Sequence, residues 1–153
     1  MKRGWGSIRI IILILLAFTL LLTDINVAEI EPVAVIVNKD NPVELLSESD
    51  IRKIYTNSIL KWPDGKPITL YELAIDNPLR NVFSEKVLGK SPDKVAYEWA
   101  HLKITNQAKN PPLTMKNQLL IIKKVSIEMG AIGYVSFSTA KGNTAIKIVS
   151  IIQ

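Results

Sequence analysis

Two kinds of apolar pattern alternate along the chain after residue 28, and this alternation limits the fold more than any other feature. Residues 32–38, "PVAVIVN", form a continuous apolar and β-branched run, which predicts a strand covered on both faces. Ser47, with Asp50 three residues later, predicts the start of a helix that carries Ile51, Ile54 and Tyr55 at helical spacing. Strands that alternate with helices indicate an α/β domain.

The same patterns predict the remaining elements. Strands are expected at residues 33–37, 68–74, 131–135 and 145–149, in one mixed β-sheet flanked by helices. One helix follows residue 77 and is stopped by Gly89, a second begins after the cap Ser91, and a third spans residues 116–129. The expected core aromatics are Phe83, Trp99 and Tyr134.

The N-terminus has the layout of a secretory signal peptide. Lys2, Arg3 and Arg9 precede an uncharged apolar run, residues 10–22. As a helix this run spans about 20 Å, short of a bilayer core of roughly 30 Å. We therefore predict a leader of residues 1–28, a mature domain of residues 29–153, and a periplasmic or extracytoplasmic location. An uncleaved membrane anchor is the alternative, because Asn26 stands where a small apolar residue is usual before a cleavage site.

Composition excludes several classes of function. The chain has no cysteine, so it has neither a thiol nucleophile nor a disulfide framework. His101 is its only imidazole, no G-x-S-x-G is present, and no metal ligands recur at a known spacing. We therefore expect no enzyme, no cofactor and no metal. Removing the leader lowers the formal charge from +5 to +3 without leaving a basic stripe, so no nucleic-acid partner is expected.

One strand-to-helix junction could hold a ligand. In "AIDNPLRNVF", residues 74–83, an apolar run ends at Asp76, Pro78 follows, and Arg80 lies in the first turn of a helix. Open α/β sheets bind ligands beyond the carboxyl ends of their strands, where helix N-termini attract anions. In the alternative interpretation, Asp76 or Asn77 only caps the helix and Arg80 is solvated.

The order of four motifs resembles a known family. These motifs are "VIVNKDNPV", the spaced "I..IY......KWPDG", "DNPLRNVFSEKVLG" and "MGAIGYV". Together they are similar to the phosphate-binding subunits of ABC importers in the type II periplasmic binding protein superfamily, and above all to their short single-domain members. The resemblance covers residues 33–135 and implies a fold like one lobe of such a protein. It also implies that the first lobe is missing, so that half of the usual binding cleft is absent.

The resemblance implies a site at the junction. Related proteins carry a D-G-S-G-T-[ST] run whose hydroxyl and N–H groups hold phosphate, whereas this chain has "DNPLRN". Asp76 matches the aspartate of that run, and Arg80 falls near its last hydroxyl position. The oxyanion-binding residues that the resemblance implies are therefore Asp76, Asn77, Arg80 and Asn81.

Two functions follow from the resemblance. The first is an exported solute-binding domain for phosphate or a similar small anion, linked to membrane components of ABC-type transport or sensing. The alternative is an exported interaction module that keeps the fold but has lost the ligand. In that case a partner protein or a second copy, as in a homodimer, covers the open face.

Overall fold

The structure is a computed structural model that describes residues 31–153, so the predicted leader and its cleavage site lie outside the described residues. Within the described part of the chain, no helix is long and apolar enough to cross a membrane.

Among residues 31–153, five strands form one mixed sheet, and the sequence predicted this sheet with four of the five. Their order is β3-β2-β4-β1-β5. Strand β2 runs parallel to β3 and β4, whereas β1 runs antiparallel to the central strand β4 and to β5. The strands are β1 (Val33–Asn38), β2 (Thr69–Leu73), β3 (Leu113–Met115), β4 (Ala131–Ser136) and β5 (Ile146–Ile152). The sequence analysis missed β3, because three residues on an exposed edge are too few to show an alternating pattern.

In the described part of the chain, five α-helices connect and flank the strands. They are α1 (Glu48–Tyr55), α2 (Pro78–Phe83), α3 (Pro92–Ile104), α4 (Gln118–Ile127) and the single turn α5 (Phe137–Ala140). A π-helical turn, Ser84–Leu88, continues α2 and ends at Gly89 in the left-handed region, φ 68°. Ser47 and Ser91 accept hydrogen bonds from the first turns of α1 and α3, which confirms both predicted caps.

The core is centred on β1 and on two of the three predicted aromatic residues. All six residues of β1 are buried, as its continuous apolar run predicted. Phe83 stacks on Tyr134 with ring centroids 3.9 Å apart and meets Tyr55 edge-on at 4.9 Å. The prediction for Trp99 was wrong, because α3 lies at the periphery and leaves that side chain partly exposed.

The motifs that carry the resemblance stabilise the sheet at the amino ends of β2 and β4. The indole N–H of Trp62, in "KWPDG", donates to the carbonyl of Gly130, in "GAIGYV", at 3.0 Å. The amide of Thr69, the first residue of β2, donates to the same carbonyl at 2.9 Å. A Cβ at Gly130 would lie 2.3 Å from the Pro67 carbonyl oxygen, so only glycine fits there. Both motifs therefore serve the fold, at the end of the sheet away from the strand-to-helix junction.

Candidate functional site

The parallel strands β2, β3 and β4 end at one side of the sheet, which we call the carboxyl edge. There the amide of Ala74 donates to the carbonyl of Met115 at 3.2 Å, so the chain segments that follow β2 and β3 are tied together. Gln118, at the start of α4, accepts a hydrogen bond from the amide of Ser136 at 2.6 Å. The helices α2, α4 and α5 all begin at this edge, which is where open α/β sheets place ligands.

The N-terminus of α2 satisfies its own amide groups. The Oδ1 atom of Asn77 accepts from the amide of Leu79 at 3.0 Å. The carbonyl of Asn77 accepts from Arg80 at 2.9 Å and from Asn81 at 3.3 Å, and Pro78 has no amide hydrogen to offer. The capping role weighed for Asn77 is thus confirmed. A ligand at this helix start would have to replace bonds that the turn already makes.

Arg80 is buried, so the interpretation in which it is solvated was wrong. The residue is 3% exposed. Its Nη1 atom lies 2.7 Å from Oε2 of Glu72 and donates to the carbonyl of Leu73 at 2.8 Å. The guanidinium therefore folds back beneath the end of β2, where the Glu72 carboxylate compensates its charge. Asp76, which precedes α2, and Asn81, which follows Arg80 in α2, remain exposed.

Glu72 is the residue at this site that the sequence analysis missed. Its side chain is 13% exposed, and its second oxygen, Oε1, accepts from the Thr114 hydroxyl at 3.3 Å. The signal was present in "ITLYELAI", where one acid interrupts an otherwise apolar strand eight residues before an arginine. An acid in such a position needs a cation, because a buried carboxylate is costly without one.

Two buried tyrosine hydroxyls form hydrogen bonds with the backbone of β2 near the ion pair. Tyr134 accepts from the amide of Leu73 at 3.4 Å, and Tyr55 donates to the carbonyl of Tyr71 at 2.9 Å. Burial raises the pKa of both Tyr55 and Tyr134. For Tyr134, the nearby positive charge of Arg80 opposes that rise in pKa. Both tyrosines are therefore neutral at physiological pH, and the buried charges of the cluster are those of Glu72 and Arg80.

A second carboxylate occupies the start of α5, also at the carboxyl edge. The Oε1 atom of Glu31 accepts from the amide of Ser138 at 3.0 Å. Hydrogen bonds from the Ser138 hydroxyl and amide hold the pKa of Glu31 below its usual value. The hydroxyl of Ser136 caps the same turn through the amide of Thr139. Two carboxylates of the chain itself, Glu72 and Glu31, thus accept hydrogen bonds from donor groups at the carboxyl edge.

The edge also exposes apolar side chains. Ile75 lies in the turn after β2 and is 47% exposed, and Leu119 and Leu120 lie in the first turn of α4 with exposures of 70% and 39%. Within residues 31–153, no group of three or more acidic or histidine side chains is arranged to hold a metal ion. The sequence-predicted site residues are close in the chain but differ in environment: Arg80 is buried, Asn77 caps the helix, and Asp76 and Asn81 are exposed.

Comparisons with known proteins agree on the fold. A family model described as a PBP superfamily domain matches residues 28–152. A putative phosphate ABC transporter substrate-binding protein with bound phosphate from Clostridium perfringens shares 24% identity and superposes with a TM-score of 0.62, over 78% of this chain and 44% of that chain. An ABC-type phosphate transport receptor from Vibrio cholerae shares 18% identity with a TM-score of 0.61, over 78% and 46% of the two chains.

PstS from Borrelia burgdorferi, at 17% identity and a TM-score of 0.60, covers 78% of this chain, which in turn covers 47% of that protein. The chain therefore spans less than half the length of these solved relatives, and at such identities the likeness is one of fold. No curated protein sequence matches the chain.

Proposed function

Because the chain belongs to the PBP superfamily and has the fold of phosphate ABC transporter substrate-binding proteins, we propose that it is an exported domain that binds phosphate or a similar oxyanion weakly. The proposed ligand residues are Asp76, Asn77, Arg80 and Asn81. The domain would act together with the membrane components of a transport or sensing system. The proposal assigns no catalytic residue.

The observation that carries the proposal is the buried guanidinium at the carboxyl end of β2. Arginine matches the geometry of phosphate oxygens with two parallel N–H groups. Arg80 lies at the edge where this fold class places ligands, and Glu72 is the carboxylate that pairs with it among the described residues. An oxyanion that binds Arg80 must therefore exchange with Glu72.

This exchange sets the expected affinity. The ligand displaces an internal carboxylate and competes with the capping bonds of Asn77, so only part of each contact is gained on binding. We expect a Kd on the order of 0.1–10 mM, equivalent to about 3–5 kcal/mol. Asp76 offers only acceptor oxygens, which favours an oxyanion that carries a hydrogen, such as hydrogen phosphate, over sulfate.

The experiment is an NMR titration of the purified protein with phosphate and with sulfate. We expect saturable shifts at Glu72 and at residues 74–82, with phosphate bound more tightly than sulfate. Arg80→Lys keeps the positive charge but loses the planar pair of donors, so it should bind phosphate about tenfold more weakly. Arg52→Lys is the matched control, because Arg52 lies on α1 and donates to the carbonyl of Val87. Absence of shifts at about 20 mM phosphate would overturn the proposal.

The second candidate function is the interaction module, which is favoured by the exposed Ile75, Leu119 and Leu120. Apolar side chains grouped on a surface are typical of protein contacts. A partner protein or a second copy would cover the carboxyl edge. Light scattering distinguishes this function: a dimer that dissociates in Leu119→Lys, together with no response to phosphate, would favour the interaction module over the binding domain.

The export of the chain is part of the proposal and has its own test. A basic start followed by a short apolar run is the signal that the secretion machinery reads. Mass spectrometry of the exported protein should find residues 1–28 removed. Recovery of the full-length chain from membranes after a carbonate wash would instead show an uncleaved anchor.

A further inference from the structure

The partly exposed Trp99 side chain lines two cavities beside α3, both open to solvent. One, of about 170 Å³, lies towards Tyr55 and Leu88. The other, of about 220 Å³, lies between α3 and the strands β2 and β3, and we call it the Trp99 cavity. A large aromatic side chain with open volume on two sides adds less packing energy than its size allows. A ligand in one of these cavities would supply the missing contacts.

The charges around the Trp99 cavity do not cancel. Glu72 reaches its wall, but one carboxylate oxygen pairs with Arg80 and the other accepts from the Thr114 hydroxyl. Lys103, on α3, also lines the cavity, and none of the ion pairs among residues 31–153 involves Lys103. Because the negative charge of Glu72 is already matched by Arg80, the Lys103 ammonium leaves the cavity with a net positive charge.

The rest of the wall is apolar. The Trp99 indole, Ala96, Ala100 and Pro112 supply most of it, and the Thr114 hydroxyl is the further polar group. Inorganic phosphate needs several converging donors, and these walls do not offer them. A cavity of about 220 Å³ is also smaller than the pockets that enclose drug-sized ligands or nucleotides. The wall suits a small molecule with a flat apolar body and one negative charge.

We propose that the Trp99 cavity binds a small organic acid, whose carboxylate pairs with Lys103 and whose apolar body packs against the Trp99 indole. Burial of the apolar body supplies most of the binding energy, and the charge-assisted bond to Lys103 fixes the orientation. This site shares Glu72 with the proposed oxyanion site, but Arg80 does not line the cavity. The two proposals can still fail separately, because the organic acid is bound through Lys103 and Trp99, whereas phosphate is bound through Arg80.

Benzoate is a suitable test compound, because it combines one carboxylate with a flat apolar ring. A titration of the purified protein with benzoate, followed by NMR, should give saturable shifts at the Trp99 indole and at residues 96–103. Lys103→Met keeps the length of the side chain but removes its charge, and should weaken binding about tenfold. Ala96→Leu fills the cavity and should abolish the shifts while the rest of the spectrum stays folded.

Lys94→Met is the matched control, since Lys94 is exposed on the same helix and does not line the cavity. It should bind benzoate as the unchanged protein does. The proposal is overturned if benzoate binds Lys103→Met as tightly as the unchanged protein. It is also overturned if the shifts fall on residues 74–82, or if none appears at about 50 mM benzoate.

Discussion

Replacement of Arg80 by methionine tests the buried ion pair at the carboxyl edge. The two side chains are 4% and 13% exposed, and their charged atoms lie 2.7 Å apart. Methionine retains much of the volume of the arginine stem, so the cavity left behind is small. The dominant effect is that Glu72 keeps its charge at a largely buried position without a cation. Breaking a buried pair in this way costs about 3–5 kcal/mol, and we expect that loss in the free energy of unfolding.

Urea denaturation at neutral pH measures this loss, and a double-mutant cycle isolates the pair. Glu72→Met, the other single variant of the cycle, leaves the Arg80 guanidinium buried without a carboxylate and should also cost about 3–5 kcal/mol. The double variant Glu72→Met, Arg80→Met leaves no buried charge and should lie within about 2 kcal/mol of the unchanged protein. A loss below about 1 kcal/mol in Arg80→Met, or single losses that simply add in the double variant, would refute the buried-pair argument.

Two further predictions concern the aromatic residues. Phe83→Ala should lower the free energy of unfolding by about 3–5 kcal/mol and Trp99→Ala by only about 1–2 kcal/mol. The reason is that Phe83 is stacked in the core, whereas Trp99 is partly exposed beside cavities. Equal losses in urea denaturation would contradict this order. Since burial raises the pKa of Tyr55 and Tyr134 above the unfolded value of about 10, their contribution to stability is complete below pH 10 and is lost as the pH rises above it. Denaturation curves recorded at about pH 8 and pH 10.5 should show this loss, Tyr134→Phe should reduce it, and a stability that stays constant over this range would contradict it.

Local patterns predicted most of the fold. Every strand with a continuous or alternating apolar pattern is present, and the caps Ser47 and Ser91 lie at the helix starts that they indicated. These signals act between residues a few positions apart, so a linear sequence displays them. Trp99 shows the limit of such signals. Helical spacing identifies which residues share a face, but it does not say how far that face lies from the core.

The site was less predictable, because it depends on contacts between elements. The sequence placed Arg80 in the first turn of a helix, but its burial follows from the turn after β2, which brings the guanidinium back to Glu72. The sequence also did not show whether the motifs "KWPDG" and "GAIGYV" have a structural or a functional role. Only the parallel pairing of β2 with β4 brings Trp62 to the carbonyl of Gly130 and gives both motifs a structural role.

The central claim is that Arg80 is an oxyanion-binding group that Glu72 occupies in the free protein. Calorimetric titration of Glu72→Gln with phosphate tests it most directly, because glutamine keeps the hydrogen-bond acceptor but removes the competing charge. Glu98→Gln is the control, since Glu98 pairs with Lys90 at the surface at 2.7 Å. We predict that Glu72→Gln binds phosphate about tenfold more tightly than the unchanged protein and that Glu98→Gln does not. A folded Glu72→Gln variant whose affinity for phosphate is no higher than that of Glu98→Gln would contradict the claim.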